Sequence, residues 1–181
     1  MARPISTRHV ALLRGVNVNG ITIKSADLKA LFVELGFGAV RTVLASGNVL
    51  FDIAEPDAAA LRGRIEQALR QRFGYDAWIV LLTQQAVGEM AAAYPFERID
   101  EARHPYLVFG SDAAMLDEIM AAAGAVDPAR ERLRRGRGVL YWQCPRGEST
   151  DTAVAKLLAK TRYKSSTTTR NLRTVEKLLA G

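Results

Sequence analysis

His9-Val10-Ala11-Leu12-Leu13, followed at once by Arg14-Gly15-Val16-Asn17-Val18-Asn19-Gly20, decides how the rest of the chain is read. His9 to Leu13 is a short, largely apolar run and reads as a buried strand. Arg14 to Ile23 carries two Gly and two Asn, so it reads as a loop in which several backbone positions need φ > 0. Ser25 is the expected N-cap of a helix, with Asp27 set against the dipole in its first turn. Leu28, Leu31, Phe32 and Leu35 follow at spacing i, i+3, i+4, i+7, and Gly36 ends the helix. Val40–Leu44 and Val49–Ile53 are β-rich runs joined by Ala45-Ser46-Gly47-Asn48, a hairpin signal. Pro56-Asp57 opens a second helix with Leu61, Ile65, Leu69 and Phe73 on one face and Gly74 at its end. Trp78 to Leu82 is a fourth strand. The order β-α-β-β-α-β is the ferredoxin-like split pattern.

A second cycle follows a helix capped by Thr83 and a charged connection over 96–104. Tyr106 to Phe109 reads as a strand, and Met115, Leu116, Ile119 and Met120 mark a helix closed by Gly124. Arg132–Arg135 and Val139–Cys144 form a hairpin around Gly136-Arg137-Gly138. Ser149 or Thr150 opens a helix with Val154, Leu157 and Leu158. Thr168 or Thr169 is the expected cap of a last helix carrying Leu172, Val175, Leu178 and Leu179. The expected fold is α+β: two ferredoxin-like halves, the second lacking its last strand, plus a C-terminal helix. The expected divisions are 1–83, a helix and connection over 84–104, 105–160, and a basic Ser/Thr-rich tail with the final helix over 161–181.

At 181 residues, 49% hydrophobic and 24% charged, the chain is long enough to bury a substantial core. No apolar run approaches the roughly 18 residues of a spanning helix, and Met1 to Ser6 lacks the apolar core of a signal peptide. A cytoplasmic protein is the expectation. The single Cys144, with only His9 and His104, excludes a zinc site built on Cys and His. No cofactor or metal is expected. The loop after Leu13 is not a P-loop and lacks the full dinucleotide-binding glycine pattern, and no Gly-x-Ser-x-Gly elbow is present.

In the split pattern the first and third strands are adjacent and antiparallel. The end of the first strand therefore meets the start of the third. Arg14, Gly15, Asn17 and Asn19 fall at that edge with Ser46, Gly47 and Asn48, and the first helix begins on the same side. Backbone N–H groups, a helix N-terminus and a guanidinium together suit an anion. Thr169, Arg170 and Asn171 form a second candidate, with hydroxyls and a guanidinium expected at the N-terminus of the last helix. Cys144 reads as a packing residue, and neither His9 nor His104 has a visible catalytic partner.

Leu12-Leu13-Arg14-Gly15-Val16-Asn17-Val18, Asp27-Leu28, Leu35-Gly36-Phe37, Val40-Arg41-Thr42, Ser46-Gly47-Asn48-Val49-Leu50-Phe51 and Thr168-Thr169-Arg170-Asn171 resemble the uncharacterised bacterial family called domain of unknown function 1697. The resemblance spans nearly the whole chain. It implies an α+β fold with ferredoxin-like parts and no established activity, cofactor or catalytic residue. Asn19 stands where that family usually has Gly, and Leu172-Arg173 where it usually has Trp-Asn. The expected function is binding of a phosphate-bearing or other anionic ligand at the Arg14/Asn17/Ser46–Asn48 edge. An enzyme with a site between the halves and a protein-interaction scaffold are the alternatives, and catalytic residues and oligomeric state stay open.

The charge is uneven. Residues 130–181 hold 13 Lys and Arg against 4 Asp and Glu, a net of +9, while the other 129 residues hold 12 against 15, a net of −3. Two readings are open: weak, non-specific binding of nucleic acid through residues 130–181, in which each neutralised phosphate releases counterions, and arginine that only decorates solvated faces. Anisotropy titrations with labelled DNA at about 50 mM and about 200 mM salt decide between them, and under the first the affinity should fall steeply from the lower salt to the higher.

Overall fold

The structure is a computed structural model that describes residues 5–16, 21–45 and 47–180. The chain divides into two compact units, Met1–Val87 with Lys177–Gly181, and Gly88–Glu176.

The first unit contains β1 (Thr7–Leu13), α1 (Ser25–Glu34), β2 (Gly38–Thr42), β3 (Asn48–Ile53), α2 (Ala58–Phe73) and β4 (Ile79–Thr83). Its sheet has the order β2-β3-β1-β4, and each neighbouring pair is antiparallel. β1 is central because Val10, Ala11, Leu12 and Leu13 are all buried, and a strand with no polar face needs cover on both sides. Ala11, Leu13, Val49, Phe51 and Ile79 form one face of the sheet. They pack with Leu28, Leu31 and Phe32 of α1 and Leu61, Ile65 and Leu69 of α2. Phe37 stacks on Phe51 at 4.6 Å, and Phe32 meets Phe51 edge-on at 5.3 Å.

The predicted boundaries of α2 hold. The Asp57 carboxylate accepts from the N–H groups of Ala59 and Ala60, both at 3.0 Å, and Gly74 closes the helix in the left-handed region. At α1 the boundary moves by one residue. Lys24 is the N-cap, it makes no side-chain cap bond, and Ser25 is the first helical residue.

The second unit contains β5 (Arg103–Gly110), α4 (Ala113–Ala123), β6 (Arg132–Gly136), β7 (Val139–Pro145), α5 (Ala153–Leu158), α6 (Thr161–Lys164) and β8 (Thr167–Asn171). The chain enters this unit within α3 (Gln84–Ala92) and leaves it within α7 (Leu172–Leu179). The sheet order is β6-β7-β5-β8, the same plan as in the first unit. One expectation is corrected here, because the second half does not lack its last strand. Thr167–Asn171 pairs antiparallel with β5, from Tyr106↔Asn171 to Gly110↔Thr167. Without β8, one side of the central strand β5 would have backbone groups with no partner in the sheet. Consecutive β-branched threonines suit that place better than a helix cap. The cap passes to Asn171, whose Oδ1 accepts from the Arg173 N–H at 2.9 Å.

The helical cover differs between the units. α2 is 16 residues long. At the matching place in the second unit the helix is broken into α5, 6 residues, and α6, 4 residues. α5 is capped by Thr152, whose Oγ1 accepts from the Ala155 N–H at 3.2 Å, and not by Ser149 or Thr150. No helix among the described residues is long and apolar enough to cross a membrane.

Two glycines of the first unit separate conformational need from chance. Gly63 lies on the exposed side of α2, and an added Cβ meets nothing within 4 Å. Gly47 has φ +71°, and a Cβ there would stand 2.8 Å from the Leu13 Cβ. Gly63→Ala should stabilise the chain by about 0.5–1 kcal/mol. Gly47→Ala should destabilise it by about 2 kcal/mol or more, since strain and overlap add. Urea denaturation of the two variants beside the parent checks both signs.

Candidate functional site

The site is built where β1 stops. The Leu13 N–H donates to the Gly47 carbonyl at 2.8 Å, and the Arg14 N–H donates to the Trp78 carbonyl at 3.1 Å. Arg14 is thus held by its backbone between the starts of β3 and the β4 segment. Gly15 follows at φ +75°, a conformation glycine adopts without steric cost. Arg14 is partly buried, and desolvation lowers the pKa of its guanidinium.

α1 is oriented toward the same end of the sheet. Its C-terminal residues lead through Gly36 into β2, whose first residue Gly38 lies opposite Asp52 near the far end of β3. The N-terminus of α1 therefore points to the Arg14–Gly47 end. The Lys24 carbonyl accepts from the Leu28 N–H at 3.0 Å, but its side chain has no acceptor to offer the first N–H groups. Sequence reading missed Lys24, because Ser25 was the better capping residue. The signal available was the adjacency of a cation to a helix start.

Asn48 has a different role from the one expected of an exposed ligand group. It is fully buried. Its Nδ2 donates to the Val43 carbonyl at 2.9 Å, and the Val43 N–H donates back to the Asn48 carbonyl at 2.9 Å. Asn48 closes the hairpin between β2 and β3. Asn17, Asn19 and Ser46 lie outside the described residues.

Thr169, Arg170 and Asn171 belong to the second unit, on β8. Arg170 is buried; its Nη1 donates to Thr168 Oγ1 at 2.6 Å and to the Thr169 carbonyl at 3.0 Å. Burial lowers its pKa to about 10. Its neighbour Asn171 caps α7. The structure therefore places Arg14 and Gly15 beside Gly47, at the end of the sheet toward which α1 starts, and the Thr169–Asn171 group in the second unit.

The remaining reactive groups are structural in character. Cys144 is buried, and burial followed by the charges of Glu131 and Glu148 pushes its thiol up to about 11. His9 stacks on Phe51 at 5.7 Å, with Nδ1 2.9 Å from the Thr7 carbonyl. His104 is held below its usual pKa by burial and by Arg146 and Arg173. No group of three or more His, Cys, Asp or Glu among the described residues is placed to hold a metal ion. Several cations of residues 130–181 are paired: Arg130 with Glu148 at 2.6 Å, Arg135 with Asp117 at 2.8 Å and Arg162 with Glu118 at 2.7 Å.

A family described as "Protein of unknown function (DUF1697)" matches residues 6–141, and the chain belongs to that family. Among solved structures, it is similar to a conserved bacterial protein from Streptococcus pneumoniae. The two share 24% identity and a TM-score of 0.80, over 96% of this chain and 97% of that one. That likeness concerns the fold. An unknown protein from Galdieria sulphuraria aligns at 12% identity and a TM-score of 0.29, over 92% of this chain and 98% of that one. None of the curated proteins matches the chain.

The Cys144 environment makes a sign-definite prediction. A thiol whose pKa is raised by folding contributes stability that is complete below its unfolded pKa. That contribution falls as pH climbs toward about 11. Iodoacetamide at pH 8 should therefore label the native protein only as fast as Cys144 is transiently uncovered. The unfolding midpoint in urea should decline from about pH 9 upward, less steeply in Cys144→Ala.

Proposed function

We propose that the first unit binds an anionic ligand, phosphate-bearing by preference, where β1 ends, β3 begins and α1 starts. The observation that supports this reading is an arginine whose backbone is fixed at a strand end toward which a helix N-terminus points. Leu13 and Arg14 anchor that strand end through Gly47 and Trp78, and α1 begins behind Lys24, a cation in the place of a capping acceptor. Helix N–H groups, the helix dipole and two cations all favour negative charge. Partial burial of Arg14 lowers the local dielectric and strengthens its attraction for an anion. Gly15 lets the backbone approach a ligand closely. Asn17, Asn19 and Ser46 are proposed to add short donors and acceptors. Asn48 supports the site by holding the hairpin from within.

Binding is favoured over catalysis because Arg14, Lys24 and the helix amides are donors and cations. Such groups position and neutralise charge but do not abstract protons at neutral pH.

A thermal-shift screen of inorganic phosphate, pyrophosphate, nucleotides and sugar phosphates at matched ionic strength tests the proposal. A ligand present at one hundred times its Kd adds about 2.7 kcal/mol of stability. Arg14→Ala should remove most of the ligand-dependent rise in Tm, and Lys24→Ala a smaller part. An equal rise in the parent and in Arg14→Ala, or no rise with any phosphate, would overturn the reading.

A further inference from the structure

The second unit contains a pocket of about 410 Å³ beneath α5 and α6, lined by Tyr106, Trp142, Thr169, Ser149, Thr150 and Lys164 among others. Its volume lies within the range of about 300–1,000 Å³ typical of small-molecule sites. The pocket follows from the broken helix. In the first unit the 16 residues of α2 cover the sheet without interruption. In the second unit α5 ends at Leu158 and α6 restarts at Thr161. Ala155 and Ala159, both small, are among the residues that line it.

The aromatic wall is fixed in place. Tyr106 and Trp142 stand on the neighbouring strands β5 and β7, directly opposite in register. Their ring centroids are 5.1 Å apart and their planes are inclined at 31°. The indole cannot turn without breaking its Nε1–H bond to Glu131 Oε2, 3.1 Å long. The other oxygen of the same carboxylate accepts from the Val154 N–H at 3.2 Å, which ties the wall to the start of α5. The rim is polar and positively charged. Thr169 comes from β8, Ser149 and Thr150 from the turn before α5, and Lys164 from the last position of α6. No carboxylate lines the pocket. Glu131 is buried behind the indole and already bonded.

We propose that this pocket binds a small planar aromatic molecule carrying one anionic group. The ring lies against Tyr106, with Trp142 beneath it, and the anionic group meets Lys164 and the Ser149, Thr150 and Thr169 hydroxyls. Offset or edge-on ring contacts suit the tilted aromatic pair. A single ammonium with hydroxyl neighbours matches one carboxylate or phosphate. A bare phosphate would leave the apolar wall uncovered, and an uncharged ring would leave Lys164 without its partner. Both parts of the ligand are needed.

Calorimetric titration of the full chain tests this with two ring-bearing anions, adenosine 5′-monophosphate and 4-hydroxybenzoate. Adenosine and inorganic phosphate are the one-part controls. At least one ring-bearing anion should bind at least tenfold more tightly than either control. Lys164→Gln, an exposed change, should weaken that binding by about tenfold, the loss of one charge-assisted hydrogen bond. Ala159→Phe should fill the break and abolish binding while leaving Tm near the parent value. Binding at this pocket should persist in Arg14→Ala, where phosphate binding at the first-unit anion site is lost, so the comparison with inorganic phosphate is made in that background. Affinities equal to those of the controls, or binding that survives both Lys164→Gln and Ala159→Phe, would overturn the proposal. So would binding lost in Arg14→Ala alone.

Discussion

The close approach of Leu13 and Gly47 governs the functional end of the first sheet. A side chain at Gly47 would overlap the Leu13 Cβ at 2.8 Å, while the Gly47 carbonyl accepts the Leu13 N–H at 2.8 Å. The overlap, with φ at +71°, requires a residue without Cβ where β1 and β3 begin to part, and the backbone bond holds it there. The glycine's conformational freedom is used for packing first, and any ligand gains only the resulting geometry. The adjoining hairpin is tight. Leu44, half-exposed, sits at φ +58°, which costs roughly 1–2 kcal/mol for a residue with a side chain. The paired bonds between Val43 and Asn48 offset that strain. A buried Asn is therefore explained by the turn it holds.

The two units share a strand order but bury it differently. In the first, two helices of ordinary length cover one face, with Phe32, Phe37 and Phe51 interlocked beneath them. In the second, α4 provides a complete helix, while α5 and α6 divide the remaining cover. The larger aromatic residues Tyr106 and Trp142 compensate by widening the sheet surface itself. The buried carboxylate of Glu131 belongs to this arrangement. It satisfies an indole and a helix N–H together, so that removing it would strand two donors in the interior.

Most of the architecture was legible because hydrophobic periodicity and glycine stops agreed with each other. Asp57 and Gly74 bounded α2, and the alternation around Ala45–Asn48 marked the hairpin. The adjacency of Arg14 and Gly47 was legible too, since it follows from topology alone. The errors arose where one residue type serves two local structures. Thr167, Thr168 and Thr169 can cap a helix or extend a strand. The choice was made by the unpaired side of β5, which lies about sixty positions earlier in the chain. Reading that segment as a cap also put Arg170 on the surface, whereas on β8 it is buried. The pocket under α5 and α6 was invisible for a similar reason. It is defined by a break between helices and by rings on two strands that are paired but distant in sequence.

The arginines show why net charge alone does not measure the pull on polyanions. Many of them serve as donors to main-chain carbonyls that secondary structure leaves open. Arg64 donates to the Leu35 carbonyl at the C-cap of α1, and Arg98 to the Ala91 carbonyl at the end of α3. Arg70 reaches the Ala77 carbonyl at 3.0 Å, and Arg103 the Ala129 carbonyl at 2.7 Å. Arg135 binds β6 to α4 through one guanidinium. It bonds Asp117 at 2.8 Å, the Ala113 carbonyl at 3.3 Å and the Gly136 carbonyl. A lysine could not do this, since its ammonium lacks the planar fork of five donors. Positive charge committed to loops and helix ends still contributes to the net count, but its hydrogen-bonding capacity is already used. Recognition of an anion must then depend on where a cation meets an open helix start or an open pocket rim. Within the proposals above, those places are the start of α1, with Arg14 and Lys24, and the pocket rim of the second unit, with Lys164.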